Sequence, residues 1–158
     1  MSEYNFLPDN PLSLLVQAEV LGIYGRENLR MAAWWTTPWH EGTPQAPYFA
    51  FKLFRNYDGN NSTFGDKLLS AATAIDNVSV FAARRSLDGV VTVMLFNINP
   101  GAKIVTVKLA GIDIASMTPW TIASTGTIIT KGAAIPVTGG SLSMQIPAYS
   151  IALLVADN

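Results

Sequence analysis

The chain has 158 residues, of which 49% are hydrophobic and only 13% are charged, and its formal net charge is −1. Because it carries no basic stripe that could neutralise phosphates, we expect no nucleic-acid partner. The absence of cysteine excludes disulfides, thiolate catalysis and cysteine–zinc sites. No apolar run approaches the ~18–20 residues that span a bilayer, and no signal-peptide pattern is visible, so we expect no membrane partner.

The two ends of the sequence differ in composition. Of the 16 aromatic residues, 12 lie at or before Phe64, and all four glutamates also lie in this first part. We therefore expect the two regions to form different kinds of structure. We divide the chain into an α/β segment, residues 1–63, and an all-β domain, residues 64–158.

The first segment alternates predicted strands and helices. Residues 2–6 alternate polar and aromatic side chains, as the end of a strand does. Asn10 is a predicted N-cap for a helix that extends to Gly25. Residues 29–35 form a short apolar run that predicts a buried strand, and a second helix is predicted over residues 48–57.

This alternation is typical of a parallel sheet with helices packed outside it. Two strands and two helices cannot close such a sheet, because unpaired edges and an uncovered face would remain. The segment is therefore an incomplete α/β fold by itself. A small α+β cap on the second domain is the alternative that the pattern leaves open.

From Phe64 onward, short β-rich runs are separated by turn signals. Strands are predicted over residues 68–74, 78–84, 90–97, 103–109, 120–123, 127–130, 141–146 and 149–155. Strands at this spacing are typical of an antiparallel β-sandwich, so the predicted fold class is mainly β. Residues 90–96 are apolar on both faces, which predicts a central strand. We expect this domain to fold without residues 1–60.

Several side chains are candidates for chemistry. Glu3 lies near a strand end, where barrel enzymes place catalytic groups, although an exposed terminal glutamate is the simpler interpretation. Tryptophan faces are good platforms for sugar rings. Trp35 is placed for such a role or for packing, Trp34 favours core packing, and Trp39 lies in a predicted loop.

Other polar groups have weaker signals. His40 and Glu41 are adjacent but lack the further ligands that a metal site needs, so we predict neither a metal nor a cofactor. Residues 55–59, Arg-Asn-Tyr-Asp-Gly, are expected to tie the second helix to the β-domain through hydrogen bonds. Arg84 and Arg85 are interpreted as solvated charges on an edge strand.

These segments together resemble glycoside hydrolase family 44. The resemblance is carried by Ser2-Glu3-Tyr4-Asn5, by residues 17–27 (Gln-Ala-Glu-Val-Leu-Gly-Ile-Tyr-Gly-Arg-Glu), by 32–35, by 50–59 with 64–66, and by 146–151. It covers essentially the whole chain. The leucine–glycine–aromatic–glycine–arginine–glutamate and arginine–asparagine–tyrosine–aspartate–glycine runs are fairly specific in combination.

The resemblance implies a (β/α)8 barrel, also called a TIM barrel, followed by a β-sandwich, so that residues 1–63 would be the last two βα units of the barrel. It also implies retaining hydrolysis of β-1,4-glucan, sometimes also xylan. It maps the family nucleophile onto Glu3 and implies that Trp35 lines the subsite of the reacting sugar. With Tyr4 and Trp39, Trp35 completes the predicted substrate-binding set. The family's acid/base glutamate lies on the fourth barrel strand, which has no counterpart here.

We therefore expect a piece of an endoglucanase that is inactive alone, with a polysaccharide and the remaining barrel portion as its partners. We expect the parent enzyme to be secreted. The alternative is a non-catalytic carbohydrate-binding or structural β-sandwich module. Such modules show a planar row of aromatic side chains, whereas only four aromatic residues follow Phe64, which disfavours this alternative.

Overall fold

Two short strands, β1 (Glu3–Tyr4) and β2 (Ala33–Trp34), form a parallel pair in the computed structural model, which describes residues 3–4, 10–35 and 37–157. Helix α1 (Ser13–Arg26) connects them, and helix α2 (Ala46–Arg55) follows β2. The predicted strand–helix–strand–helix order is therefore confirmed. The remaining positions of the predicted first strand, 2, 5 and 6, lie outside the described residues.

The start of α1 lies slightly later than predicted. The side chain of Asn10 accepts a hydrogen bond from the Leu12 amide at 2.9 Å, and its carbonyl accepts one from the Ser13 amide, also at 2.9 Å. Asn10 therefore caps a turn that leads into the helix instead of capping the helix itself. Between β2 and α2, the chain forms a two-stranded hairpin of β3 (Trp39–His40) and β4 (Thr43–Pro44).

Seven strands form one large antiparallel sheet. They are β5 (Lys67–Leu69), β6 (Val78–Arg84), β7 (Val91–Asn97), β9 (Ser116–Ala123), β10 (Thr130–Lys131), β11 (Ile135–Pro136) and β13 (Ser150–Ala156). The spatial order is β10-β9-β13-β7-β6-β5, and β11 also pairs with β9. Strands β8 (Lys103–Lys108) and β12 (Ser141–Ile146) form a second, two-stranded sheet.

The strand predictions hold best where the apolar pattern is unbroken. All seven residues of β7 are buried, and β7 lies between β6 and β13, which confirms the predicted central strand. Strand β9 begins earlier than predicted and passes through Pro119. Proline lacks an amide hydrogen and is uncommon inside a sheet, so the sequence pattern favours a strand that starts only after it. Strand β5 stops at Leu69 instead of continuing to residue 74, and β11 was not predicted.

The large sheet is buried on both faces. One face packs against β8 and β12, in a cluster that includes Val93, Val105 and Leu142. The other face packs against both helices. The helices and the sheet share a cluster of buried side chains there: Leu14, Leu15, Ala18, Phe49, Leu53, Phe81, Met94, Phe96, Ile122, Ile151 and Leu153. This shared core argues against independent folding of residues 64–158.

Close contacts fix α1 on β6. A side chain at Gly22 would place its Cβ 2.6 Å from a ring carbon of Phe81, so only glycine allows this approach. The guanidinium of Arg26 lies 5.8 Å from the centroid of the same ring, and the Ser79 hydroxyl donates a hydrogen bond to the carboxylate of Glu19.

The segment after α2 is tied to the β-domain, as predicted. The Arg85 guanidinium donates a hydrogen bond to the Tyr57 hydroxyl at 3.1 Å, and the Tyr57 ring packs edge-on against Trp120 with centroids 5.3 Å apart. Arg85 also pairs with Asp88 at 2.8 Å, and only 14% of its side chain is exposed.

The interpretation of Arg84 and Arg85 as solvated charges on an edge strand was wrong in two respects. β6 is not an edge strand, because β5 pairs with it and Lys67 lies opposite Arg84, although Arg84 itself is exposed. Arg85, which directly follows β6, is not solvated, because its guanidinium is held by Tyr57 and Asp88. Among the described residues, no helix is both long and apolar enough to cross a membrane.

Candidate functional site

The parallel strands β1 and β2 carry the predicted nucleophile and lead into the predicted sugar platform. Glu3 is paired with Ala33 and Tyr4 with Trp34, and the Trp35 amide donates to the Tyr4 carbonyl at 2.9 Å. Because side chains alternate along a strand, Glu3 and Ala33 share one face, and both are exposed. Trp35 directly follows β2, and 60% of it is exposed. The strand pair therefore presents an exposed carboxylate, and the backbone hydrogen bond connects the residue after Glu3 to an exposed tryptophan.

Tyr4 occupies the opposite face, against α1. Its ring makes edge contacts with Tyr24 and Trp34, with centroids 5.3 and 5.2 Å away. Its hydroxyl accepts a hydrogen bond from Nε2 of Gln17 at 2.8 Å. Burial raises the pKa of the Tyr4 phenol, and the hydrogen bond from Gln17 only partly opposes this. The position favours a supporting role for Tyr4 over direct contact with a sugar.

Trp39 lies on the hairpin between β2 and α2. Glu41 and Gly42 form its two-residue tip with φ of 47° and 79°, which is the left-handed conformation that a tight hairpin turn requires. The Trp39 ring packs edge-on against Tyr48, with centroids 5.0 Å apart, yet 45% of Trp39 remains exposed. The hairpin therefore presents a second indole whose orientation is fixed by Tyr48.

The His40–Glu41 pair has a simple structural explanation. Its nearest side-chain atoms are 3.9 Å apart, and the two side chains are 77% and 84% exposed. Both lie at the tip of the hairpin, where solvent screens their interaction. In the part of the chain that the structure describes, no group of three or more metal-ligating side chains is present.

The remaining glutamates are engaged elsewhere. Glu19 accepts the Ser79 hydroxyl at the contact between α1 and β6, and Glu27 pairs with Arg26 at 2.9 Å. A retaining glycosidase requires a second carboxyl about 5–5.5 Å from its nucleophile. The described residues of α1 provide no such partner for Glu3.

Gln17 is a buried polar residue beside the candidate site that the sequence interpretation did not single out. It is fully buried beneath β1 and is the hydrogen-bond donor to Tyr4. The signal that could have identified it is its position three residues after Leu14, which places a long amide side chain on the buried face of the helix. An amide in such a stripe needs a specific polar partner, because an unpaired buried polar group is costly.

Comparisons with known proteins confirm the resemblance to glycoside hydrolase family 44. No protein-family model matches the sequence. Endoglucanase A of Paenibacillus lautus is 38% identical over 85 residues, which are 52% of this chain and 12% of that protein. The match is to one part of a much longer enzyme.

Solved structures match along the whole chain. The bifunctional glucanase-xylanase CelM2, from a metagenome library, superposes with a TM-score of 0.91 at 40% identity, over 99% of this chain and 30% of that one. A family 44 xyloglucanase of Paenibacillus polymyxa gives a TM-score of 0.90 at 28% identity, over 100% of this chain and 32% of that one. The chain thus spans about 30% of these solved relatives, consistent with the C-terminal portion that the motifs indicated.

Proposed function

We propose that this chain supplies the nucleophile and part of the reacting-sugar subsite of a retaining endo-β-1,4-glucanase that also accepts xylan. The observation that carries the proposal is the exposed Glu3 on a parallel strand pair, whose second strand leads directly into the exposed Trp35. In barrels built from such strands, catalytic groups come from the C-terminal strand ends. The similarity to a bifunctional glucanase-xylanase supports the same substrate class.

In this proposal, the Glu3 carboxylate attacks the anomeric carbon and forms a covalent glycosyl–enzyme intermediate. A second carboxylic acid protonates the leaving oxygen, and then, as a carboxylate, activates the water that releases the sugar. This second group belongs to a part of the family's barrel that the chain does not match. We therefore propose that the chain is not catalytic by itself.

The two exposed indoles would hold the polysaccharide. Trp35, which directly follows the strand paired with that of Glu3, would stack against the sugar that reacts. Trp39, fixed by Tyr48 on the hairpin, would contact a neighbouring sugar. Both side chains offer the large apolar surface that carbohydrate C–H groups pack against.

The direct test compares the purified chain with a CelM2 fusion, in which this chain replaces the matching 30% of CelM2. We expect the chain alone to release no reducing sugar from carboxymethyl-cellulose and the fusion to release it. Glu3→Gln in the fusion should abolish turnover, whereas the control Glu27→Gln, on the exposed end of α1, should not.

Either of two results would contradict the proposal: turnover by the chain alone that survives Glu3→Gln, or full activity of the fusion carrying Glu3→Gln. Retardation of the chain alone in a cellulose-containing gel would instead support the non-catalytic binding module. The structure gives that module no aromatic platform on the outer side of β8 and β12, where the exposed side chains are Ile104, Thr106, Lys108, Ser143 and Gln145.

A further inference from the structure

We propose that Gln17 is a positioning residue for the nucleophile, acting through Tyr4 to fix the direction of Glu3. This inference rests on the proposed function, because it assigns Gln17 a role in the same site. Gln17 belongs to α1 and Glu3 to β1, so the proposal links a barrel helix to the reacting carboxylate.

The first observation is the cost of keeping an amide at this position. Gln17 is 0% exposed, and its buried Oε1 atom has no hydrogen-bond partner among the residues that the structure describes. A buried polar atom that lacks a partner destabilises a protein. An apolar side chain of similar size would avoid this cost, so packing alone does not explain a glutamine here.

The second observation is what the other end of the amide holds. Nε2 of Gln17 donates to the Tyr4 hydroxyl at 2.8 Å, while the edge contacts with Tyr24 and Trp34 confine the Tyr4 ring. The Tyr4 side chain is thus held both at its ring and at its hydroxyl. Because Tyr4 directly follows Glu3 on β1 and points to the opposite face, a fixed Tyr4 fixes the backbone that directs Glu3.

The same residue also connects the two strands. The Tyr4 carbonyl accepts the Trp35 amide at 2.9 Å, so a rotation of β1 at Tyr4 would disturb both Glu3 and the backbone of Trp35. Small misplacements matter in this chemistry, since about 1 Å can cost about 100-fold in rate. We infer that the buried amide is kept for the alignment of β1 and not for stability.

A purely structural role makes a different prediction. If Gln17 only packs, replacing it should lower stability and reduce the amount of folded enzyme, with no change in turnover per active site. If Gln17 positions Glu3, a variant without either polar partner should remain as stable but turn over more slowly. The double variant Gln17→Leu/Tyr4→Phe removes both partners and so leaves neither group unsatisfied.

The first arm uses the chain itself. We expect the double variant to keep or raise the melting temperature, and hydrogen exchange of the Trp35 amide to become at least about fivefold faster, since β1 loses its anchor. Gln145→Leu makes the same side-chain change at an exposed position of β12 and should alter neither quantity. Unchanged exchange at Trp35 would overturn the inference.

The second arm uses the CelM2 fusion, with active sites counted by a slow-reacting fluorinated glycoside. The double variant should lower kcat about tenfold with KM within about twofold, as expected when only alignment is lost. An unchanged kcat per counted site would overturn this inference alone. An inactive fusion with the natural Gln17 and Glu3 would overturn the proposed function and this inference with it.

Discussion

Gly22 determines how closely α1 approaches the large sheet. The position leaves no room for a Cβ atom, because Phe81 ring carbons would lie 2.6 to 2.9 Å from it. Phe81 is itself buried and makes an edge contact with Phe96, with centroids 5.7 Å apart. The ring therefore cannot move without disturbing the core that the helices and the sheet share.

We predict that Gly22→Ala destabilises the chain by about 1–3 kcal/mol, the usual cost of inserting an atom into a packed core. Gly25 is the matched control, since it lies in the same helix and a Cβ there would meet no atom of the described residues within 4 Å. Gly25→Ala should be neutral, or stabilising by up to about 1 kcal/mol through helix propensity. Urea denaturation of both variants measures the difference, and equal stabilities would contradict the close contact.

Asp66 links the start of β5 to the end of β6. The side chain and the backbone amide of Ser86 donate hydrogen bonds to its carboxylate, both at 2.7 Å, and these bonds hold the pKa of Asp66 below its ordinary value of 3.8. Because the pKa of Asp66 is lower in the folded state than in the unfolded state, its carboxylate stabilises the fold at pH values above its ordinary pKa. This stabilisation is lost as the pH falls through the folded-state pKa.

The melting temperature should therefore fall more steeply below about pH 4 than it does above pH 5. Asp58 adds to this: burial raises its pKa, but hydrogen bonds from Ser62 and Asn60 outweigh burial and leave the pKa lowered. Asp66→Asn should flatten the acid limb of the melting-temperature curve, while Asp113→Asn, at an exposed position, should retain it. An unchanged acid limb in Asp66→Asn would show that these hydrogen bonds do not control acid stability.

The role of a single residue could be predicted from the sequence only where the residue belongs to a motif of the family that the chain resembles. Glu3 and Trp35 were candidates by position, but their roles as nucleophile and subsite residue came from the family resemblance and stay predictions. Gln17 belongs to another segment of the same resemblance, residues 17–27. Its partner is 13 residues away in the sequence, and nothing in a helical pattern indicates which strand residue it will contact. The burial of Arg85 was missed for the same reason, since Tyr57 lies 28 residues away.

Among the secondary-structure elements, the helices connect the α/β segment to the large antiparallel sheet. Helix α1 connects the parallel strands β1 and β2, and it also covers the large antiparallel sheet together with α2. Secondary structure followed the sequence well where apolar periodicity was long, as in α1 and β7. It was poorly predicted where strands are two or three residues long, because pairing partners rather than local pattern define β5, β10 and β11.

We predict that residues 64–158 alone do not unfold cooperatively. Removing the helices would expose the buried face of the sheet, including Phe81, Met94, Phe96, Ile122 and Leu153, and an exposed apolar face of this kind promotes association. Circular dichroism on heating should show a broad transition, with strong binding of a hydrophobic dye, compared with a sharp transition for the full chain. A sharp transition at the full chain's melting temperature would restore residue 64 as the start of an independent domain.

Contacts connect the β-domain to the candidate nucleophile across the whole molecule. Phe81 of the large sheet packs against Gly22 of α1. Gln17 of α1 donates a hydrogen bond to Tyr4, and Tyr4 directly follows Glu3 on β1. The β-domain thus acts as a support for the strand that carries the carboxylate. The division into an α/β segment and an all-β region was predictable, because the two parts of the sequence differ clearly in composition. The packing of the helices against both parts was not predictable, because it depends on contacts between residues distant in sequence.

The central claim is that Glu3 is the nucleophile of a retaining glycosidase, and covalent trapping tests it most directly. A 2-deoxy-2-fluoro cellobioside with a good leaving group should accumulate as a glycosyl–enzyme on the CelM2 fusion, because a retaining mechanism passes through that intermediate. Mass spectrometry of the digested protein should locate one added disaccharide on Glu3 and none in the Glu3→Gln variant. Labelling of a different carboxylate, or an active fusion that forms no adduct, would contradict the account.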